Sequence, residues 1–139
     1  MTYEEWLMHF NENHDPRNGQ FTSTENAKAI VKNTRKAMKK GVLSEKSRKY
    51  VKDIKKRVND EELERLIVES RSLFDEFRKA RMDWKLGLTS EKKMTSKYNA
   101  YQENMDARFK RSDEIAKSIC DSIGVNDPLL ERKLSLILR

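Results

Sequence analysis

The chain has 139 residues, 38% of them charged and 36% hydrophobic, with only four glycines, two prolines and a single cysteine. That length bounds it to one domain, or one small domain with a tail. The scarcity of turn formers excludes a sandwich or barrel and argues against a glycine-rich dinucleotide-binding fold, leaving a few long helices. One cysteine, Cys120, permits no internal disulfide and fits a reducing compartment. No apolar run reaches the ~18 residues of a membrane span, so no membrane partner is expected. The opening Met1-Thr2-Tyr3-Glu4-Glu5 lacks the apolar core of a signal peptide.

The net charge of +7 is unevenly spread. Residues 1–27 carry a net of −4 and residues 58–139 a net of zero. Residues 28–57 hold thirteen basic groups against Glu45 and Asp53, a net of +11. One thirty-residue stretch therefore carries all the excess, which marks it as a candidate site.

In chain order, residues 3–10 can make two helical turns with Trp6 and Phe10 on one side. Asp15-Pro16 and Asn18-Gly19 then predict a loop. Residues 1–22 read as an N-terminal segment, and residues 23–139 as a single helical domain. Thr22 followed by Glu25 is a capping-box pattern, so a helix is predicted over about 23–40, closed by Gly41. Ser44 is the next predicted N-cap, opening a helix over about 45–58 with Tyr50, Val51, Ile54 and Val58 on one stripe.

Asn59 or Asp60 caps a predicted long helix, about 60–86, whose seam reads Leu63, Ile67, Ser70, Phe74, Phe77, Arg81, Trp84. Gly87 breaks it, and Thr89 or Ser90 caps a second, about 90–123, with the seam Met94, Tyr98, Tyr101, Met105, Arg108, Ser112, Ile115, Ile119. Both seams repeat with the 3.5-residue period of packed helices. Folding back near Gly87 predicts partners whose numbers sum to about 178, hence Phe74 against Met105, Phe77 against Tyr101 and Arg81 against Tyr98, with a polar layer of Ser70, Arg108 and Ser112. Residues 129–139 form a short leucine-rich helix that cannot stand alone. It must pack on the body or serve, like the hairpin seam, as a homodimer surface.

Catalytic and metal chemistry find little support. His9 and His14 cannot supply the three or more ligands of a zinc site, and no phosphate-cradling glycine loop is present. Cys120, beside Ile119 and Ile123, reads as a small core side chain. No enzyme, metal or cofactor is expected. The basic helices say more. Lys28, Lys32, Arg35 and Lys39 share a face, flanked by Lys36 and Lys40, and Arg48, Lys49, Lys52, Lys55 and Lys56 follow on the next helix. Such a ridge repels itself by a few tenths of a kcal/mol for each i, i+4 pair. A polyanion gains from it, because each neutralised phosphate releases counterions. The alternatives are a plain solvated face or an acidic protein partner. Base-specific reading is not expected, for the second helix opens without the grouped Asn, Gln or Arg that it needs. Trp6, Phe10, His14 and Phe21 flank a loop without a core of its own and could dock as a peptide into another protein.

His14-Asp15-Pro16-Arg17-Asn18-Gly19-Gln20-Phe21, following Leu7-Met8-His9-Phe10, resembles a short His-Asp-Pro-x-x-Gly-x-Phe-x-Ser segment of proteins encoded in the head-gene regions of tailed phages and prophages of Firmicutes. The match spans about residues 7–23. The resemblance implies a phage or prophage setting, in a bacterial cytoplasm or virion, and no activity. The expectation is an all-α protein: a long antiparallel hairpin, a basic helix pair and a short C-terminal helix. Its expected role is non-enzymatic assembly with sequence-independent nucleic-acid contact. The competing expectation is a protein–protein inhibitor or adaptor, such as a phage anti-defence factor, using the same basic face.

Overall fold

The computed structural model describes residues 23–139 and, as backbone only, His14–Asp15 and Gln20–Phe21. Those two dipeptides, β1 and β2, pair antiparallel with His14 opposite Phe21 and Asp15 opposite Gln20, so the predicted loop is closed by a two-residue ladder. Five α-helices follow among the described residues: α1 (Thr24–Lys40), α2 (Arg48–Arg57), α3 (Glu61–Lys85), α4 (Glu91–Ser122) and α5 (Pro128–Leu138). None is long and apolar enough to cross a membrane. The all-α architecture expected from the sequence is the one observed. The described residues fall into two compact units, one holding residues 23–61 with 111–139 and one of residues 62–110.

The helix ends follow from local chemistry. The cap of α1 is Ser23 rather than Thr22: its side chain accepts from the Asn26 amide at 3.2 Å. Ser44 does not cap the following helix. Its hydroxyl turns back to the carbonyls of Lys40 and Gly41, at 2.6 and 2.7 Å, and so serves the end of α1. Residues 45–47 form a single 3-10 turn before α2 begins at Arg48. After α3, Gly87 takes a positive φ of 73°. Leu88 N–H bonds to Asp83 O and Gly87 N–H to Trp84 O, the paired bonds of a Schellman stop. Of the two caps predicted for α4, Ser90 is in place, accepting from Lys93 N–H at 3.1 Å. Asp127 caps α5, and Pro128 sits in its first turn, where a missing N–H costs nothing.

In the unit of residues 62–110, α3 and α4 pack antiparallel. Phe74 meets Tyr101 with ring centroids 5.4 Å apart, and Phe77 meets Tyr98 at 5.2 Å. The numbers of these pairs sum to 175, not 178. The predicted Phe74–Met105, Phe77–Tyr101 and Arg81–Tyr98 pairings are therefore displaced by about one helical turn, because the tight stop at Gly87 centres the fold-back on that glycine. The seam is also corrected. Leu63, Ser70 and Phe77 lie on it, but the alternate positions are Leu66, Leu73 and Ala80, with Phe74, Arg81 and Trp84 exposed at its flank. On α4 the same one-residue displacement puts Asn104 inside and leaves Tyr98 exposed. Large aromatics reach across the hairpin from the flank, so the seam itself accepts smaller or polar residues. The polar layer forms at Ser70 as expected, but its partner is the Asn104 amide oxygen, not Arg108 or Ser112. Ser70 Oγ also bonds to Leu66 O at 2.9 Å, and Asn104 Nδ2 reaches Glu69 at 3.4 Å.

In the other unit, α1 and α2 lie side by side, and α5 packs against both. Ala27, Ile30, Val31 and Ala37 of α1, Ile54 of α2, and Leu130, Leu134, Ile137 and Leu138 of α5 are buried, together with Ile115, Ala116, Ile119 and Cys120 of α4. Each fully buried Leu or Ile contributes about 1.5–3 kcal/mol. The leucine-rich end thus folds back, and its apolar face, one of the surfaces expected to serve a homodimer, is covered within the chain. Only Leu129, 53% exposed, is left outside. The Asp60 carboxylate meets the Arg111 guanidinium through two bonds, Oδ1–Nη2 at 2.7 Å and Oδ2–Nε at 2.9 Å, with both side chains almost fully buried. Arg111 Nη1 also reaches Glu114 at 3.4 Å.

A buried pair of this kind is costly to break from one side. Arg111→Met, which takes the bidentate guanidinium away from the buried Asp60 carboxylate, is expected to lower stability by about 3–5 kcal/mol in urea unfolding. Arg111→Met combined with Asp60→Leu should recover most of that loss. Equal loss in both variants would mean that the pair itself, rather than the desolvated carboxylate it leaves behind, carries the stability.

Candidate functional site

Why the basic stretch forms two helices is clear from its apolar residues. Ala27, Ile30, Val31, Thr34 and Ala37 occupy one side of α1 and are buried, which turns every lysine and arginine of that helix outward. Ile54 anchors α2 in the same way, with Tyr50 and Val51 half-buried beside it. All eleven predicted contact residues are exposed: Lys28, Lys32, Arg35, Lys36, Lys39 and Lys40 on α1, and Arg48, Lys49, Lys52, Lys55 and Lys56 on α2.

The two helices are held by polar contacts whose numbering shows them antiparallel. Asn33 Nδ2 donates to Asp53 Oδ2 at 2.5 Å. Asn26 Nδ2 donates to Arg57 O at 3.3 Å, and Arg57 Nη1 donates to Asn26 Oδ1 at 3.2 Å. Arg57 Nε closes on Asp53 at 2.7 Å, so the one acidic group of α2 is held by a neighbouring cation and amide. Between the helices lies Tyr50. Lys36 Nζ of α1 stands 5.6 Å from its ring centroid and Lys49 Nζ of α2 stands 5.0 Å from it. The electron-rich ring face attracts both ammonium groups and eases the repulsion between two like charges near one ring.

This geometry divides the predicted ridge. At about 100° per residue, the stripe of Lys28, Lys32, Arg35 and Lys39 is turned roughly 130° from the side on which Asn26 and Asn33 meet α2. Lys36 and Lys40 are the basic residues of α1 nearest that side. The structure therefore joins Lys36 and Lys49 about Tyr50, with Lys40 flanking, and leaves the predicted stripe as a separate lobe. Apolar spacing alone puts Tyr50 on the buried stripe and gives no role to Asn33 and Asp53. A lone acid among ten residues rich in lysine is the one signal in the sequence that something must hold it.

The predicted peptide-like segment of Trp6, Phe10, His14 and Phe21 lies outside the described residues, apart from the backbone pairing of His14 with Phe21. Among the described residues no three His, Cys, Asp or Glu side chains are grouped to hold a metal ion. Cys120 is buried, and burial together with the carboxylates of Glu131, Asp121 and Asp127 pushes its thiol up from 9.0 to about 11 against the opposing pull of Arg35. A protonated, enclosed thiol is no nucleophile.

No protein-family model, curated protein or solved structure matches the chain.

The thiol yields a prediction with a definite sign. The unfolded thiol loses its proton near pH 9, whereas the folded one keeps it to about pH 11. In that window the folded state binds more protons, so stability should fall as pH rises through it. Urea unfolding of the native chain and of Cys120→Ala should show a smaller fall for the variant, and a thiol reagent at neutral pH should label Cys120 only after unfolding.

Proposed function

We propose that the chain is a non-enzymatic helical protein of a phage or prophage, with a structural or assembly role, that holds nucleic acid without regard to sequence through α1 and α2. The observation that carries this reading is the Lys36–Tyr50–Lys49 arrangement, which gathers positive charge from two helices about one ring, with further exposed lysines on each helix. The net of +11 over residues 28–57 supports it, since that density is unfavourable for the helices themselves and rewarding to a polyanion. The phage setting comes from the resemblance of residues 7–23.

The mechanism is electrostatic docking. Lysine ammonium groups replace condensed counterions along the phosphate backbone, and the released ions supply the free energy. The Tyr50 ring offers limited stacking surface, because it is half-buried and already occupied by two cations. Affinity should therefore depend on salt far more than on base composition.

Binding to a labelled duplex and a labelled single strand across a salt series tests this. Affinity should fall steeply with salt. Lys36→Ala with Lys49→Ala should make the slope shallower by about 2, one for each phosphate that the variant leaves without its lysine. Replacing Lys32, Arg35, Lys39, Lys52 and Lys56 by Glu should abolish retention while circular dichroism stays helical. Absence of binding at low salt would overturn the reading in favour of the inhibitor or adaptor, for which the same face meets an acidic protein.

A further inference from the structure

The hairpin of α3 and α4 ends in an apex that the basic helix pair does not explain. Four apolar side chains near its turn face solvent: Met82 is 59% exposed, Trp84 39%, Leu86 65% and Leu88 72%. Met82 and Leu86 are one helical turn apart and joined by the Leu86 N–H to Met82 O bond, so they project from one side of the last turn of α3. Leu88 follows Gly87 in the turn itself. Trp84 stands about 160° round the helix from both, so apolar side chains lie on both sides of the closed end, and exposed apolar groups at one end mark a contact surface.

Charge within this unit is segregated along its length. Residues 62–76 carry five acidic groups against Arg65 and Arg71, a net of −3. Residues 78–97, which form the apex, carry seven basic groups against Asp83 and Glu91, a net of +5. Arg81, Lys85, Lys92 and Lys93 are all exposed there. Over residues 58–139 the charges cancel, so the sum along the chain conceals the polarity.

We propose that this apex docks on an anionic lipid surface. Met82, Trp84, Leu86 and Leu88 enter the headgroup boundary, and Arg81, Lys85, Lys92 and Lys93 meet the lipid phosphates. The charge complementarity selects an acidic target. The aliphatic side chains select a lipid one, since leucine and methionine gain from leaving water for an apolar phase, which phosphates do not offer. The shape agrees: the side chains project from the closed end of a hairpin, which suits a soft plane better than a groove. Such a contact lies on the membrane and needs no spanning helix, so the lack of a long apolar run does not bear on it.

The test uses the full chain carrying Trp6→Phe, which leaves Trp84 as the only tryptophan. Vesicles of phosphatidylcholine containing phosphatidylglycerol should shift Trp84 emission to the blue and carry the protein in flotation. Phosphatidylcholine alone should do neither, and salt should weaken the effect. Leu86→Asp with Leu88→Asp, at exposed positions, should keep the helical circular dichroism and duplex binding yet lower vesicle affinity about tenfold or more. The five-site glutamate variant of α1 and α2 should retain the blue shift. The proposal is overturned by flotation without a Trp84 shift, which would assign the lipid contact to the basic helices. Unaltered vesicle binding in the aspartate variant, no vesicle binding at all, or Trp84 emission that responds to duplex DNA in place of vesicles would each overturn it as well.

Discussion

The pairing of Asp60 with Arg111 is the constraint on which the larger unit depends. A carboxylate and a guanidinium lose their hydration when buried, and only a bidentate, well-aligned partner offsets that cost. Asp60 sits between the end of α2 and the start of α3, and Arg111 sits in α4, so the bond joins parts of the chain about fifty positions apart in sequence. It anchors the exit of the basic helix pair to the segment of α4 that carries Ile115, Ile119 and Cys120. Ser135 and Arg139 of the C-terminal stretch reach Asp113, two residues further along the same helix. Polar bonds of this kind admit one geometry, whereas leucine on leucine tolerates sliding.

Burial and charge act together in α1 and α2. Their apolar residues are few and small, and a helix of ten residues such as α2 is not stable by itself. The pair persists because α5 covers the inner faces and because Asn26, Asn33, Asp53 and Arg57 join the helices along their length. With the inner side committed to packing, every cation is forced outward. The result is a surface in which mutual repulsion is eased locally by the Tyr50 ring and by Asp53, and otherwise left for a partner to relieve. The hairpin apex has the converse composition, with apolar side chains left outside and lysines around them.

Much of the fold is legible in the sequence. The helix count among the described residues, the break at Gly87, the return at Gly124–Pro128 and the burial of Cys120 follow from glycine and proline positions and apolar spacing. The seam is only half legible. Leu63, Ser70, Phe77, Met94 and Tyr101 recur every seven residues, and their spacing alone finds them. The alternate rows come out one position too far, at Phe74 for Leu73 and at Met105 for Asn104. The error has a physical source. Size and hydrophobicity favour Phe74 and Met105, but long side chains can cover a seam from its flank while small or polar ones occupy it. With Arg111 on the seam, its charge demands a buried acid, and Asp60 becomes the candidate.

What the sequence determined by itself is therefore local: helix ends, the outward direction of the lysines, and the concentration of positive charge in residues 28–57. Each depends on residues within a few turns of one another, where backbone conformation and spacing decide the outcome. Only the tertiary structure decided which polar side chains meet: Asp60 with Arg111, Ser70 with Asn104, and Lys36 with Lys49 across Tyr50. It also decided that Leu130, Leu134 and Leu138 of α5 are covered while Leu86 and Leu88 are not. Both kinds of segment read as apolar in one dimension. The difference lies in whether another helix is there to remove them from water.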